Sequence, residues 1–541
     1  MQSQTPSRRF SLRQRWPGSG ISAMLLTGFL LLLLVSGCIL ITPTPPPSPV
    51  PTPTPRAEDC RQISEAGREK RLSAEKLSGE GNNGPYSPDE TLYVPGQVIM
   101  SGLMANMLPL ADELQLEIIR EPRTVDDTAI GLFGIGNERS VEEVVCVVNS
   151  MGREVVADPN YLLSPAQYTG FGSPWSESGS WSGLPGGGWA EADPALFPVQ
   201  WALGPRGGEL NDDAGNRLVG IGGDRTQIAI FDSSPFADAA EAEAVAGQLE
   251  MNLQLWDPIA SQLGEKCPVN ERDISSHGLF VAGLAHAVAP MARLHLIPVL
   301  NQGGCGDLYT IVGAIDQYVA TAAQSEERTV INLSLGVHQP ATPTDYGLPA
   351  EIVALEQVVQ RAEAKDMVVV AAAGNDSSDK ATPNDMELPA NSTNVLGVAA
   401  TNVEGMRSCF SNSGDLAAPG GDGIKLKNAC DIPACPDGDP NCNLPVCSDS
   451  NPEPCLISWS IDPDSRKLHT VYWAGTSFAT PLVSGLAALV LEVHNPPAPA
   501  VTVMIHDNGI LASDPNLKRH VNVACTLLTG ANRPAHCPIV P

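Results

Sequence analysis

Basic residues are scarce in this chain. Of 541 residues, 32 are Lys or Arg against 61 Asp or Glu, a formal net charge of −29. Four of the Arg (Arg8, Arg9, Arg13, Arg15) fall in the first 37 residues, which hold no acid, so the remainder balances 28 against 61, or −33. A surface of that sign repels phosphate backbones and anionic head groups, which sets nucleic-acid binding aside. Cys-x-x-Cys does not occur, so the commonest zinc-ribbon spacing is missing. Gly-x-Ser-x-Gly does not occur either, which argues against a nucleophile presented on a strained strand-to-helix elbow. The His residues, including His286, His295 and His469, show no metal-ligand spacing. What is present is a long chain with 43% hydrophobic residues and mean hydropathy near zero (−0.03), enough for a core of several hundred residues in more than one domain.

The N-terminus reads as an export segment. An Arg-rich start precedes an apolar run from Ile21 to Val35, then Val35-Ser36-Gly37-Cys38. A Cys directly after two small residues resembles the lipobox of bacterial lipoproteins, which implies lipid attachment at Cys38. Two other readings stay open: a membrane helix over about 21–41, at roughly 20 residues long enough to span, and a plain secreted form. All three place the rest of the chain outside the cytoplasm, because the basic flank stays inside. Setting Cys38 aside leaves an even 12 of the 13 Cys, as a disulfide framework requires.

Residues 39–58 hold the Pro/Thr run Thr42–Pro55, a semi-rigid extended stalk. Within residues 90–166, strands are expected at Gln97–Met100, Leu114–Ile119, Ala129–Ile135 and Arg153–Ala157. Ser140-Val141-Glu142-Glu143 is a capping box opening an apolar helix through Val148. The order is roughly βαββαβ, a small α+β ferredoxin-like domain. Residues 167–193, rich in Gly, Ser and Trp, read as a linker and a place for processing.

From 194 to 541, short buried strands alternate with helices. Gln227–Phe231, Leu294–Leu300, Thr329–Leu335, Met367–Ala373 and Val395–Ala400 read as strands. Leu308, Ile311, Val312, Ile315, Tyr318 and Val319 share one helix face, as do Ile352, Leu355, Val358, Val359 and Ala362. This predicts an α/β fold, a parallel sheet covered on both faces, with function at the carboxyl ends of strands. An insertion at 421–468 holds Cys430, Cys435, Cys442, Cys447 and Cys455. With Cys409 they make six, and disulfides account for them without zinc. Cys60–Cys146, Cys267–Cys305 and Cys525–Cys537 are the expected pairs elsewhere.

Three segments carry chemistry: Asp232 at a strand end, His277 opening a small-residue helix, and Gly475-Thr476-Ser477 opening an apolar helix that runs to about Val493. A Ser hydroxyl is a poor nucleophile until a base takes its proton. Neutral imidazole does this near pH 7 and returns the proton to the leaving amine, and a carboxylate fixes its tautomer. Ser377-Ser378-Asp379-Lys380 matches Ser-x-x-Lys but lacks partner motifs.

Asp, His and Ser in that chain order resemble the subtilisin-like (subtilase) serine proteases. Ile331-Asn332-Leu333-Ser334-Leu335-Gly336 resembles that family's substrate-binding strand. Val369–Ala373 with Gly374-Asn375 resembles the strand carrying its oxyanion-hole Asn, and Leu388-Pro389-Ala390 and Ala418-Pro419-Gly420 match further positions. The resemblance implies a three-layer subtilisin-like catalytic domain. Its catalytic residues would be Asp232, His277 and Ser477, its oxyanion hole Asn375 with the Ser477 amide, and its substrate contacts Ser334, Leu335, Gly336, Ala373 and Gly374. Residues 90–166 resemble the family's propeptide, implying an intramolecular inhibitor. The chain is thus expected to be an extracytoplasmic serine endopeptidase acting on protein or peptide substrates. No cofactor is expected for catalysis, and the family's structural calcium falls on no named residues. Three departures stand out: Ser233-Ser234 where the family has a small residue then Gly, with strain expected at Ser234; Leu279 for Thr; and Phe478 for Met. The departures at Ser234 and Leu279 motivate a rival reading, a catalytically impaired surface lipoprotein that binds a partner.

Overall fold

Apolar runs punctuated by caps set the element boundaries. The computed structural model describes Cys60 and residues 93–125, 128–136, 139–165, 191–203, 221–256, 273–337, 352–377, 382–422, 455–512, 514–528 and 537–538. The export segment, the stalk, residues 166–190 of the linker, Cys267, Ser378–Lys380 and the heart of the Cys-rich insertion lie outside them.

The first unit runs β1 (Tyr93–Gly102), α1 (Met104–Glu113), β2 (Glu117–Val125), β3 (Thr128–Gly134), α2 (Val141–Ser150) and β4 (Val155–Pro165). The four strands form an antiparallel sheet ordered β4-β1-β3-β2, the ferredoxin-like arrangement expected. Ser140 caps α2 by accepting the Glu143 amide at 3.2 Å, so the capping box is real at its Ser end. Val98, Met100, Leu110, Phe133, Val144 and Val145 form the core between helices and sheet. The Cys60–Cys146 disulfide ties the upstream chain to α2.

The second unit contains β5 (Glu191–Ala192), β6 (Thr226–Asp232), α3 (Ala239–Gln248), β7 (Leu253–Leu255), α4 (His277–Val288), β8 (Arg293–Pro298), β9 (Gly306–Asp307), α5 (Leu308–Ala322), β10 (Arg328–Leu333), β11 (Leu335–Gly336), α6 (Val353–Ala364), β12 (Val368–Ala372), β13 (Val395–Thr401), β14 (Leu416–Pro419), β15 (Leu456–Ile461), β16 (Leu468–Trp473), α7 (Thr476–His494), α8 (Ala498–Asn508), β17 (Ile510–Leu511), β18 (Arg519–His520) and α9 (Val523–Leu527). The main sheet is ordered β17-β18-β14-β13-β12-β10-β6-β8-β7 and is parallel except at β17/β18.

Alternate residues of each strand feed opposite cores, which is why the strands read as continuous apolar runs. Ile228, Ile230, Val368 and Val370 face α4 and α7, whereas Ala229, Phe231, Val369 and Ala371 face α5 and α6. Each fully buried Val or Ile contributes about 1.5–3 kcal/mol of burial free energy. Helix α7 is the one helix among the described residues long and apolar enough to span a bilayer, and it is the central buried helix of this core.

Two expectations are corrected. Thr329–Leu335 is not one strand: it breaks at Ser334, whose carbonyl and hydroxyl both turn toward α7. Ser234 is not strained: neither it nor Ser233 takes a left-handed conformation, and Ser234 Oγ accepts the Phe236 amide at 3.2 Å. The turn therefore does not need the Gly that family usage led us to expect.

Candidate functional site

The chain reverses its direction of travel across the sheet at β6, with β8 on one side and β10 on the other. Such a switch point leaves a crevice at the strand's carboxyl end. Asp232 is the last residue of β6 and His277 the first of α4. His277 Nδ1 donates to Asp232 at 2.8 Å (Oδ1) and 2.9 Å (Oδ2), and both side chains are fully buried. Asp232 Oδ1 also accepts the Ser233 amide at 2.7 Å, and Ser233 Oγ donates to the Ile274 and Ser275 carbonyls at 2.9 and 3.0 Å. The helix can start this close because residue 278 is Gly. A Cβ there would collide with the Ser233 carbonyl oxygen and stand 2.9 Å from Asp232 Cβ.

With Nδ1 committed to the carboxylate, His277 Nε2 is the available nitrogen; it is buried and has no hydrogen-bond partner. The ring is walled by Trp473 (centroids 5.4 Å, nearly perpendicular) and Phe478 (5.1 Å), and Phe280 packs on both. Phe478 therefore braces the imidazole rather than pointing outward. Leu279 is wholly buried in the core that also takes in residues of β6 and α7.

Ser477 is the second residue of α7 and is fully buried. Its hydroxyl donates to the Ser334 carbonyl at 3.1 Å, and Ser334 Oγ donates back to the Ser477 carbonyl at 2.8 Å. Behind this pair runs a one-way chain: Ser484 Oγ donates to Asn332 Oδ1 at 2.9 Å, and Asn332 Nδ2 donates to Ser334 Oγ at 2.9 Å. All four residues are wholly buried, so β10 is bolted to α7 two turns apart, and the height of Ser477 is fixed. Asn332 and Ser484 were not singled out by sequence reasoning.

Asn375 follows β12 and is nearly buried. Its Oδ1 accepts both the Thr476 amide (3.1 Å) and the Thr476 hydroxyl (3.0 Å). The acceptor end is thus spoken for, which leaves the NH2 end as the side chain's donor. Gly374 has φ +103°, a conformation costly for any side chain, and its amide donates to Thr476 Oγ1 at 3.3 Å. The Ala373 amide donates to the Val398 carbonyl at 3.0 Å and its carbonyl accepts the Glu387 amide at 3.0 Å, so internal bonds already engage its backbone.

The last turns of β4 lie in the same place. Leu335 and Gly336 of β11 pair antiparallel with Pro165 and Ser164, while Gly306 and Asp307 of β9 pair with Leu163 and Leu162. The first unit thereby inserts an extended segment between β9 and β11. Asn160 Oδ1 accepts the Tyr309 amide at 3.0 Å and Asp158 Oδ2 accepts the Ala354 amide at 3.2 Å, so β4 also caps α5 and α6. Asp158 is wholly buried, its Oδ1 has no partner, and burial pushes its carboxyl up to about 7.

Cys525 pairs with Cys537 as expected, and Cys305 and Cys455 are also disulfide-bonded. Among the described residues, no three His, Cys, Asp or Glu side chains converge as a metal site would require.

Residues 264–504 match the Subtilase family (Peptidase_S8). The chain is 30% identical over 235 residues to subtilisin E of Bacillus subtilis (strain 168), a match covering 41% of this chain and 47% of that protein. Subtilisin of Bacillus pumilus is 30% identical over 235 residues, covering 41% of this chain and 66% of the relative. The chain thus spans about half the length of subtilisin E. A lanthipeptide protease of known structure aligns at 20% identity with a TM-score of 0.44, covering 62% of this chain and 95% of that one. The match to the Subtilase family therefore takes in His277 and Ser477, while Asp232 lies upstream of it.

Proposed function

We propose that this protein is an extracytoplasmic serine endopeptidase that hydrolyses peptide bonds through an acyl-enzyme on Ser477. One observation carries the reading: a buried Asp232–His277 pair whose unpartnered Nε2 lies beside the start of the helix bearing Ser477, with the side chain after Ser477 packed on the same imidazole. In the reaction His277 Nε2 takes the Ser477 proton as Oγ attacks the carbonyl carbon, then delivers it to the departing amine. Asp232 holds the tautomer and stabilises the imidazolium. The Ser477 hydroxyl must first swing from the Ser334 carbonyl to Nε2. A substrate amide arriving at that carbonyl would compete for the same acceptor. The Asn375 amide and the Ser477 backbone N–H, at the positive end of α7, would hold the oxyanion.

In this reading the first unit is an intramolecular inhibitor, because β4 occupies the groove as an added strand would. Tethering outside the cell, through Cys38 or an apolar helix, rests on the N-terminal sequence alone.

The reading is tested by a fluorophosphonate probe on residues 56–541 made under oxidising conditions. Label is expected on Ser477, and none when His277 is changed to Ala. Equal labelling in both proteins, or label elsewhere, would sink it. Asn375→Leu is expected to lower kcat by about 100- to 1,000-fold with little change in KM, read from initial rates on a fluorogenic peptide. A drop confined to KM would instead assign Asn375 to ground-state binding.

A further inference from the structure

Asn412 lies in the loop between β13 and β14 and is almost wholly buried. It grips the turn that carries Asn375 from both sides. Its backbone amide donates to the Gly374 carbonyl at 3.0 Å, and its Nδ2 donates to the Ala373 carbonyl at 3.2 Å. Its Oδ1 accepts the Asp376 amide at 3.1 Å and the Ser377 hydroxyl at 2.7 Å. These bonds fall on residues 373, 374, 376 and 377, the two flanks of Asn375. The side chain fits because residue 374 is Gly: a Cβ there would collide with Asn412 Nδ2. The loop itself is braced. Buried Arg407 donates through Nη1 to the Cys409 and Ser411 carbonyls at 3.1 and 2.6 Å. Ser411 Oγ accepts the Ala400 amide of β13 at 2.9 Å, and the Ser377 amide donates to the Phe410 carbonyl at 3.0 Å.

We infer that Asn412 is a positioning residue for the oxyanion donor, acting on the acyl-transfer transition state through Asn375; the inference rests on the peptidase reading above. An oxyanion donor accelerates the reaction only if it is already in place when charge develops. Thr476 holds the acceptor end of the Asn375 side chain. Asn412 holds the backbone from which that side chain springs. The bonding pattern asks for an amide. One atom must accept two donors while its neighbour donates to a carbonyl, and Asn does both from a short side chain. Asp would set an oxygen against the Ala373 carbonyl in a buried site, where an unmatched acceptor is costly. Ala would take this partner from the Asp376 amide and the Ser377 hydroxyl, and would remove the brace beside the left-handed Gly374 (φ +103°). A misplacement of about 1 Å at a catalytic group costs about 100-fold in rate, so a small relaxation of this turn is large in kcat.

The test measures kcat and KM on a fluorogenic peptide for wild type, Asn412→Ala, Asn412→Asp, Asn375→Leu and the double variants. Asn412→Ala is expected to lower kcat by about 100-fold with KM nearly unchanged. In the Asn375→Leu background the same change should cost almost nothing, because the donor it positions is gone. A peptide aldehyde, whose hemiacetal oxygen on Ser477 takes the oxyanion's place, should lose affinity for Asn412→Ala by a similar factor, and the matching peptide alcohol should not. Thermal melting follows stability separately. An Asn412→Ala protein that melts early yet keeps wild-type kcat overturns the inference, because Asn412 is then a staple of the loop and nothing more. A loss of equal size in the Asn375→Leu background, or one confined to KM, overturns it too. If Asn412→Ala does not fold, Asn412→Asp, which keeps the size and the acceptor, decides on the same criteria. All these outcomes leave the peptidase reading standing. No cleavage by wild type, with no probe label on Ser477, overturns both.

Discussion

Changing Ser477 to Ala is expected to lower kcat by about a million-fold, leaving only the slow hydrolysis that groove binding and the oxyanion donors sustain. The same loss is expected for His277→Ala. The double variant should be no slower than either single one, because the two groups act as a unit and the second change removes nothing the first left intact. Asp232→Asn should cost less, on the order of 10,000-fold. Its amide would keep the geometry but offer Nδ1 the wrong partner. The buried setting adds to that cost: Asp232 already accepts the Ser233 amide, so an inserted NH2 would face a donor at 2.7 Å. Any self-processing beyond Pro165 should stop in Ser477→Ala. The measurement is initial rate on a fluorogenic peptide, with thermal melting to show that each variant is folded. A Ser477→Ala protein retaining a tenth of wild-type activity would remove Ser477 as the nucleophile.

The elements that carry these residues were legible because each is a local pattern ending in a chemical residue. Gln227–Phe231 is an apolar run closed by Asp232, and the helix faces at 308–319 and 352–362 repeat at helical spacing. What could not be read depends on groups far apart in sequence. Ser334 breaks its strand because residue 477 offers it partners. Strain was expected at Ser234 from family usage, yet the turn takes ordinary backbone angles. Asn332 and Ser484 look like one polar residue in a strand and one in a helix until the fold stacks them. Pairing of residues 162–165 with β9 and β11 spans more than 140 positions, and no local pattern signals it.

Asp158 carries the second large expected effect, a loosening of the first unit as pH rises. Burial raises its carboxyl from an ordinary 3.8 to about 7, against the smaller opposing pull of the Ala354 and Val353 amides. The neighbouring titratable groups are Glu142, bonded to the Tyr93 hydroxyl, and Tyr161; neither supplies positive charge. When β4 leaves α6, the carboxyl returns to water and its ordinary value. The closed state therefore binds more protons than the open one between about pH 4 and 7. Its grip is complete below the open-state value and is lost as pH climbs through about 7, by on the order of 4 kcal/mol in all. In the Ser477→Ala background, where no cleavage intrudes, the opening constant from hydrogen exchange at Leu162–Ser164 should rise by nearly tenfold per pH unit across that window. Asp158→Asn mimics the protonated carboxyl, so it should hold β4 closed with no such slope. A wild-type opening constant flat from pH 4 to 8, or an unchanged slope in Asp158→Asn, would mean that Asp158 does not set the pH response. A slope confined to the wild type would make this buried acid the reason the groove opens more readily in neutral or alkaline surroundings than in acid.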